Sequence, residues 1–165
     1  MNKIVHVLFL SLLLMPSAGA AGRKAVTIVP DNCTPLTLTV NGKEREYCLL
    51  GKKAPVKFEV DGPGKLTVIS RLKLPATSSG FEKYTLRLKE GKREVKSQTT
   101  QADRSDATFR GSDGVPGKSR KLVVSIPEGS FSYELSLDDS PFQAAVRVQW
   151  EPSRRQKLVS LEPLS

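Results

Sequence analysis

From about residue 34 to residue 150, apolar and polar side chains alternate in short runs broken by Gly, Pro, Asn and Asp. Alternation with a period of two marks a strand that buries one face, and turn residues recurring about every 8–12 positions mark the ends of such strands. Leu36-Thr37-Leu38-Thr39-Val40 and the run Lys43 to Leu49 flank Asn41-Gly42. That dipeptide suits a two-residue type I′ hairpin, whose central residues both need positive φ. Val56, Phe58 and Val60 then alternate with Lys57 and Glu59, and Asp61-Gly62-Pro63-Gly64 reads as a tight turn. Leu66, Val68 and Ser70 alternate with Thr67, Ile69 and Arg71, and Pro75 to Gly80 is a loop of small residues.

Tyr84, Leu86 and Leu88 alternate with Lys83, Thr85, Arg87 and Lys89, and Glu90-Gly91 turns the chain into a weaker polar strand from Arg93 to Gln98. Leu122, Val124 and Ile126 follow a long polar stretch, with Val123 apolar on the opposite face, the pattern of a central strand. Pro127-Glu128-Gly129 reads as a turn before Phe131, Tyr133, Leu135 and Leu137. Asp138-Asp139-Ser140-Pro141 reads as another, before the final strand of Ala144, Val146, Val148 and Trp150. No stretch between these has helical periodicity. The pattern predicts an all-β fold: a single antiparallel β-sandwich of about eight or nine strands, jelly-roll or immunoglobulin-like. The apolar stripes form its core, Trp150 included. On this reading Val124→Asp abolishes folding by burying an unpaired charge.

The N-terminus differs from the rest. Lys3 precedes a nearly unbroken apolar run from Ile4 to Met15, Pro16-Ser17 breaks it, and Ala18-Gly19-Ala20 supplies small residues. That is the layout of a secretory signal peptide over residues 1–20. The run is too short for a membrane span, which needs about 20 apolar residues. No further candidate span follows, and no cysteine sits where a lipid anchor would attach. The expected organisation is therefore a leader, a β-sandwich over 21–152, and a basic tail or edge strand over 153–165. The Lys3 start and short apolar run have a bacterial look, which places the exported chain in the periplasm or outside the cell.

Export changes what the composition implies. Cleavage would remove Lys3 and His6, taking one unit from the formal charge of +9 and removing the one histidine. Without histidine, a Ser-His-Asp triad, a Cys-His pair and histidine-ligated metal sites are excluded. The two cysteines, Cys33 and Cys48, read as a disulfide in an oxidising compartment. A two-residue hairpin loop sets Val40 opposite Lys43, and the same register brings Cys33 within one diagonal step of Cys48. The loop so closed contributes about 3 kcal/mol in the chain-entropy model.

Two surfaces are candidates for function. Lys83, Arg87 and Lys89 share one face of a strand, and a neighbouring strand bearing Arg71 and Lys73 would extend it into an anion-attracting or partner-binding surface. Thr99 to Arg120 is a long polar segment without periodicity, and loops of this length are functional or disordered. Asp103, Asp106 and Asp113 carry calcium-type oxygens there, but Arg104 and Arg110 oppose a bound cation, so a solvated loop is the simpler reading. Phe109 stands out in that polar setting as an anchor or a partner contact, and Arg110 belongs to the same candidate partner loop. Asp138-Asp139 reads as turn chemistry. Ser70-Arg71-Leu72-Lys73 matches Ser-x-x-Lys, without the companion motifs of that enzyme class.

No catalytic residue, metal ligand or cofactor site is expected. The chain reads as an exported, non-catalytic binding or assembly protein of the cell envelope. Its partner would be a protein, a glycan or an anionic lipid. Nucleic acid fits less well, because the aromatics fall on core stripes and do not interleave with the cations. Two rivals stand beside this: a carboxylate-dependent glycan-active enzyme, and a structural subunit completed by strand exchange through the tail.

Overall fold

A computed structural model describes residues 24–138 and 140–153. The expected leader and Asp139 lie outside the described residues, as does the tail beyond Ser153.

The described chain is all-β, with ten strands: β1 Val26–Ile28, β2 Pro35–Val40, β3 Lys43–Leu50, β4 Val56–Leu74, β5 Glu82–Glu90, β6 Arg93–Ala102, β7 Thr108–Phe109, β8 Val115–Pro116, β9 Arg120–Asp138 and β10 Ala144–Pro152. All their pairings are antiparallel, in the order β6-β5-β9-β4-β10-β3-β2-β7, with β1 on β10 and β8 on β4.

β4 and β9 build the sandwich. They pair along almost their whole length, Val56 opposite Leu135 at one end and Ser70 opposite Arg120 at the other. Only the second half of β9 pairs with β5, and only the second half of β4 pairs with β10. One layer therefore holds β6, β5 and the Val56–Val60 and Phe131–Asp138 halves. The other holds Arg120–Ile126, Gly64–Leu74, β10, β3, β2 and β7. Ser70 and Tyr84, on strands that are not sheet neighbours, hydrogen-bond through their hydroxyls at 2.9 Å in the buried interior. The inward stripes of both layers, among them Phe58, Leu66, Val68, Tyr84, Leu88, Leu135 and Val148, make one apolar core.

Two expected turns are bends inside these long strands. Gly62 lies opposite Gly129, the register shifts between Gly62 and Gly64, and the Gly62-Pro63 peptide is cis. The reason is close approach: a Cβ on Gly62 would stand 1.7 Å from the Pro127 carbonyl oxygen. Glycine and proline serve a bulge here as readily as a turn, and the partner that decides between them is far away in sequence.

Val123 does not make β9 central in its layer. Arg120–Ile126 pairs with β4 alone, so Val123 is 39% exposed and Val124 only partly buried against the core. Trp150 is buried in the core.

The β2–β3 hairpin has Val40 opposite Lys43, with Asn41 and Gly42 at φ 50° and 71°. Cys33 and Cys48 form a disulfide with Cα atoms 5.2 Å apart, tying the β1–β2 connection to β3.

Candidate functional site: a cationic cleft under the 103–118 segment

Strand β6 runs on to Ala102, beyond the expected end of pairing, and the chain then crosses to the outer face of the second layer. The face it meets is apolar. Leu38 and Tyr47 project outward from β2 and β3, next to Ala145 of β10, with Leu36, Val40 and Ile69 around them. Phe109, only 9% exposed, packs into this patch. A second, smaller core thus lies outside the sandwich, and the 103–118 segment straps across it.

Short backbone links hold the strap. Leu38 pairs with Phe109 and Lys73 with Pro116. The Arg110 N–H donates to Thr37 O at 2.9 Å and the Gly117 N–H to Leu72 O at 2.8 Å. Gly114 has φ +86°, and a Cβ there would come within 2.7 Å of Leu74 O. Side chains add Arg110 with Glu44 at 2.6 Å and Lys73 with Asp113 at 2.9 Å, and the Lys73 ammonium stands 5.9 Å from the Phe109 ring centre. The Lys73 contact holds the exposed Asp113 carboxyl below its usual range. The stretch that reads as a solvated loop is therefore an ordered strap with two short strands.

Arg71 lies beneath it. Its position on β4 faces outward, yet it is only 8% exposed, because Ser105 and Gly117 close over the guanidinium. Nη1 donates to Gly117 O at 3.0 Å and to Ser105 Oγ at 3.3 Å, while Nε is buried with no acceptor among the described residues. Arg71 belongs to the wall of a cleft of about 460 Å³ between the strap and the sheet, together with Arg104, Ser105, Asp106, Lys118 and Arg120. Arg104 donates to the Ala76 and Ser78 carbonyls at 2.8 and 3.0 Å. Arg120 donates to Gln101 O at 3.1 Å and pairs with Asp103 at 3.0 Å. Lys118 is exposed, and its backbone N–H bonds Asp103 O. Four cationic side chains thus meet one lining carboxylate, Asp106. Their field reaches the interior: burial raises the Tyr84 hydroxyl above its usual range, and the Ser70 bond, Arg120 and Arg71 pull it back only in part.

The structure divides the residues of the expected basic surface. Arg71 and Lys73 lie on the second layer under and beside the strap, whereas Lys83, Arg87 and Lys89 lie on β5 in the other layer. These strands are not neighbours. Lys83 is exposed, and Lys89 faces Glu94 and Glu134 across its two ladders. Arg87 is paired with Glu94 at 3.0 Å and Asp138 at 2.8 Å, so acids offset much of this half. The strap aspartates also part company: Asp103 turns to Arg120, Asp113 to Lys73, and Asp106 to the cleft. Among the described residues, no three His, Cys, Asp or Glu side chains gather as a metal site.

Sequence reading did not assign Arg104, Lys118 and Arg120 to a site. The available signal was Lys118-Ser119-Arg120, a basic triplet where the polar stretch meets the next strand. It also missed Phe81, an aromatic 72% exposed, whose neighbour Gly80 lies close against the Arg104 side chain.

No family model matches the sequence, and no curated protein does. Solved structures of similar fold include the CBM36-1 domain of a multidomain xylanase from the hindgut metagenome of Trinervitermes trinervoides: 12% identity, TM-score 0.44, 79% of this chain and 99% of that one. The K1 cleaved adhesin domain of Lys-gingipain from Porphyromonas gingivalis W83 matches at 17% identity and TM-score 0.43, over 79% of this chain and 90% of that one. A carbohydrate-binding module CBM36 in complex with calcium and xylotriose matches at 15% identity and TM-score 0.42, over 78% and 99%. At these identities and TM-scores the likeness carries no argument about what this chain binds.

Proposed function

We propose that this chain is an exported, non-catalytic binding protein whose strap cleft takes an anionic glycan of the cell envelope or exterior. The observation that carries the reading is the cleft wall, lined by four cationic side chains and one carboxylate, with only Arg120 of the four paired to an acid, Asp103, among the described residues. Such a site attracts polyanions and weakens as salt screens it. The cleft is concave and polar, which suits a chain of sugars better than a flat bilayer. The Cys33–Cys48 disulfide fits the oxidising compartment that the leader-like N-terminus implies.

Retention on immobilised heparin, used as a polyanionic probe against a neutral dextran matrix, tests the reading. Wild type is expected to bind heparin alone and to elute earlier as salt rises. Lys118→Glu, at an exposed position, is expected to weaken retention about tenfold in low salt, as reversal of a charge facing the ligand should. Equal retention of the two proteins, or retention indifferent to salt, would remove the cleft from the account. Retention on anionic vesicles but not on heparin would move the partner from glycan to lipid.

A further inference from the structure

We infer that the cleft receives a tetrahedral oxyanion ester, a sulfate or phosphate carried on a sugar-sized body, with Arg71 as its innermost contact. This rests on the proposed reading of the cleft and specifies the group recognised.

Arg71 is the unusual residue. Among the described residues no carboxylate lies within ion-pair reach of it, although its neighbour Arg120 has Asp103 and Arg87 has two acids. A guanidinium has five N–H donors. Both hydrogen bonds of this one leave from Nη1, and Nε has none. A buried cation is costly without a counter-charge, and the described residues supply none at this position. The missing partner is therefore an anion from outside, and the wall of the cleft is where it would enter.

The donors around it describe that anion. Arg71 lines it from β4, Arg104 from one end of the strap, and Lys118, Ser119 and Arg120 from the other, whereas the Ser105 hydroxyl already donates to Pro116 O at 2.7 Å. A planar carboxylate is matched by one guanidinium fork. Cations lining one wall from three stretches of chain, each guanidinium with N–H groups beyond those already bonded, are better matched by the three terminal oxygens of a sulfate or phosphate ester, which point in different directions. The cleft, at about 460 Å³, is also far larger than a bare ion, since even a water molecule occupies only roughly 30 Å³. Its size falls among small-molecule sites, which run from about 300 to 1,000 Å³. There is room for the body that carries the ester, and Asp106 is the one lining carboxylate able to accept a hydrogen bond from its hydroxyls.

Calorimetric titration of the whole protein tests this, with glucose 6-sulfate, glucose 6-phosphate and glucuronate as probes at matched ionic strength. One or both esters are expected to bind at least tenfold more tightly than glucuronate; whichever is tighter identifies the source of the oxyanion. Arg71→Met is expected to lose at least 30-fold in ester affinity. Arg71→Lys, which keeps charge without the fork, should recover only part. Should Arg71→Met fail to fold, the ester-to-glucuronate ratio in wild type and the Arg71→Lys titration still decide. Glucuronate binding as tightly as the esters would overturn the inference and leave the cleft reading standing. Binding of none of the three while heparin retention persists would do the same. Loss of heparin retention as well would take both down.

Discussion

Replacing Phe109 by alanine isolates what holds the strap. Its ring is almost fully buried among Leu38, Tyr47 and Ala145, and burying a phenylalanine contributes about 1.5–3 kcal/mol. The Lys73 ammonium 5.9 Å from the ring adds about 0.5–1 kcal/mol. The other side-chain ties contribute little: Arg110 and Glu44 are both exposed, and Lys73, itself mostly covered, meets an almost fully exposed Asp113. Phe109→Ala should therefore favour strap opening by about 2–4 kcal/mol. At 1.4 kcal/mol per factor of ten, that raises the opening constant roughly 30- to 700-fold. Hydrogen exchange reads this directly. The amides of Arg110, Gly117 and Lys118, bonded to Thr37, Leu72 and Asp103, should exchange faster by that factor, while core amides of β4 and β10 change little. Anion binding should fall in parallel, because an open strap leaves Arg71 in water. Equal acceleration of strap and core amides would refute a locally held strap, and no acceleration at all would refute Phe109 as its anchor.

Other consequences follow from the same packing. Gly64→Ala puts a Cβ 2.4 Å from the Trp150 ring and 2.6 Å from Glu151 O, so it should cost 1–3 kcal/mol or more, and the only tryptophan should report the shift in fluorescence. Leu122→Asp should abolish folding, whereas Val124→Asp, at a half-buried position on a strand lying at its layer's edge, should only lower the melting temperature; a cooperative melt retained by Val124→Asp and lost in Leu122→Asp is the expected result. Breaking the Cys33–Cys48 bond by Cys48→Ser should cost about 3 kcal/mol in urea unfolding. Tyr84 has its folded pKa raised, chiefly by burial, above the usual 10.0. As pH climbs past about 10 the unfolded tyrosine ionises first, so stability present below that point is lost above it. Tyr84→Phe should shallow this alkaline limb without levelling it, since Tyr133 is also raised by its burial.

Local chemistry and non-local pairing divide what was legible in the sequence. The Asn41-Gly42 hairpin, its register and the disulfide were readable because each depends on residues close in sequence. The inward stripes were readable because alternation is a property of a single strand. The long strands β4 and β9 were not, since Gly62-Pro63-Gly64 and Pro127-Glu128-Gly129 carry turn chemistry and only their mutual pairing makes them bends. The cleft was hidden for a related reason. Arg71 alternates outward like any solvent-facing lysine or arginine, and its burial comes from Ser105 and Gly117, 34 and 46 residues away. The outer patch that docks Phe109 is assembled from four strands, none of which signals it alone.

The most direct test of the account is the side-chain Nε–H resonance of Arg71 in a heteronuclear NMR titration with a sulfated oligosaccharide. In the free protein this proton is buried and has no acceptor among the described residues. It should shift strongly downfield and saturate together with the backbone amides of Ser105 and Lys118. Shifts confined to Lys118 and other exposed cations, with the Arg71 signal unmoved, would contradict it, reducing the binding to unspecific attraction by a basic surface.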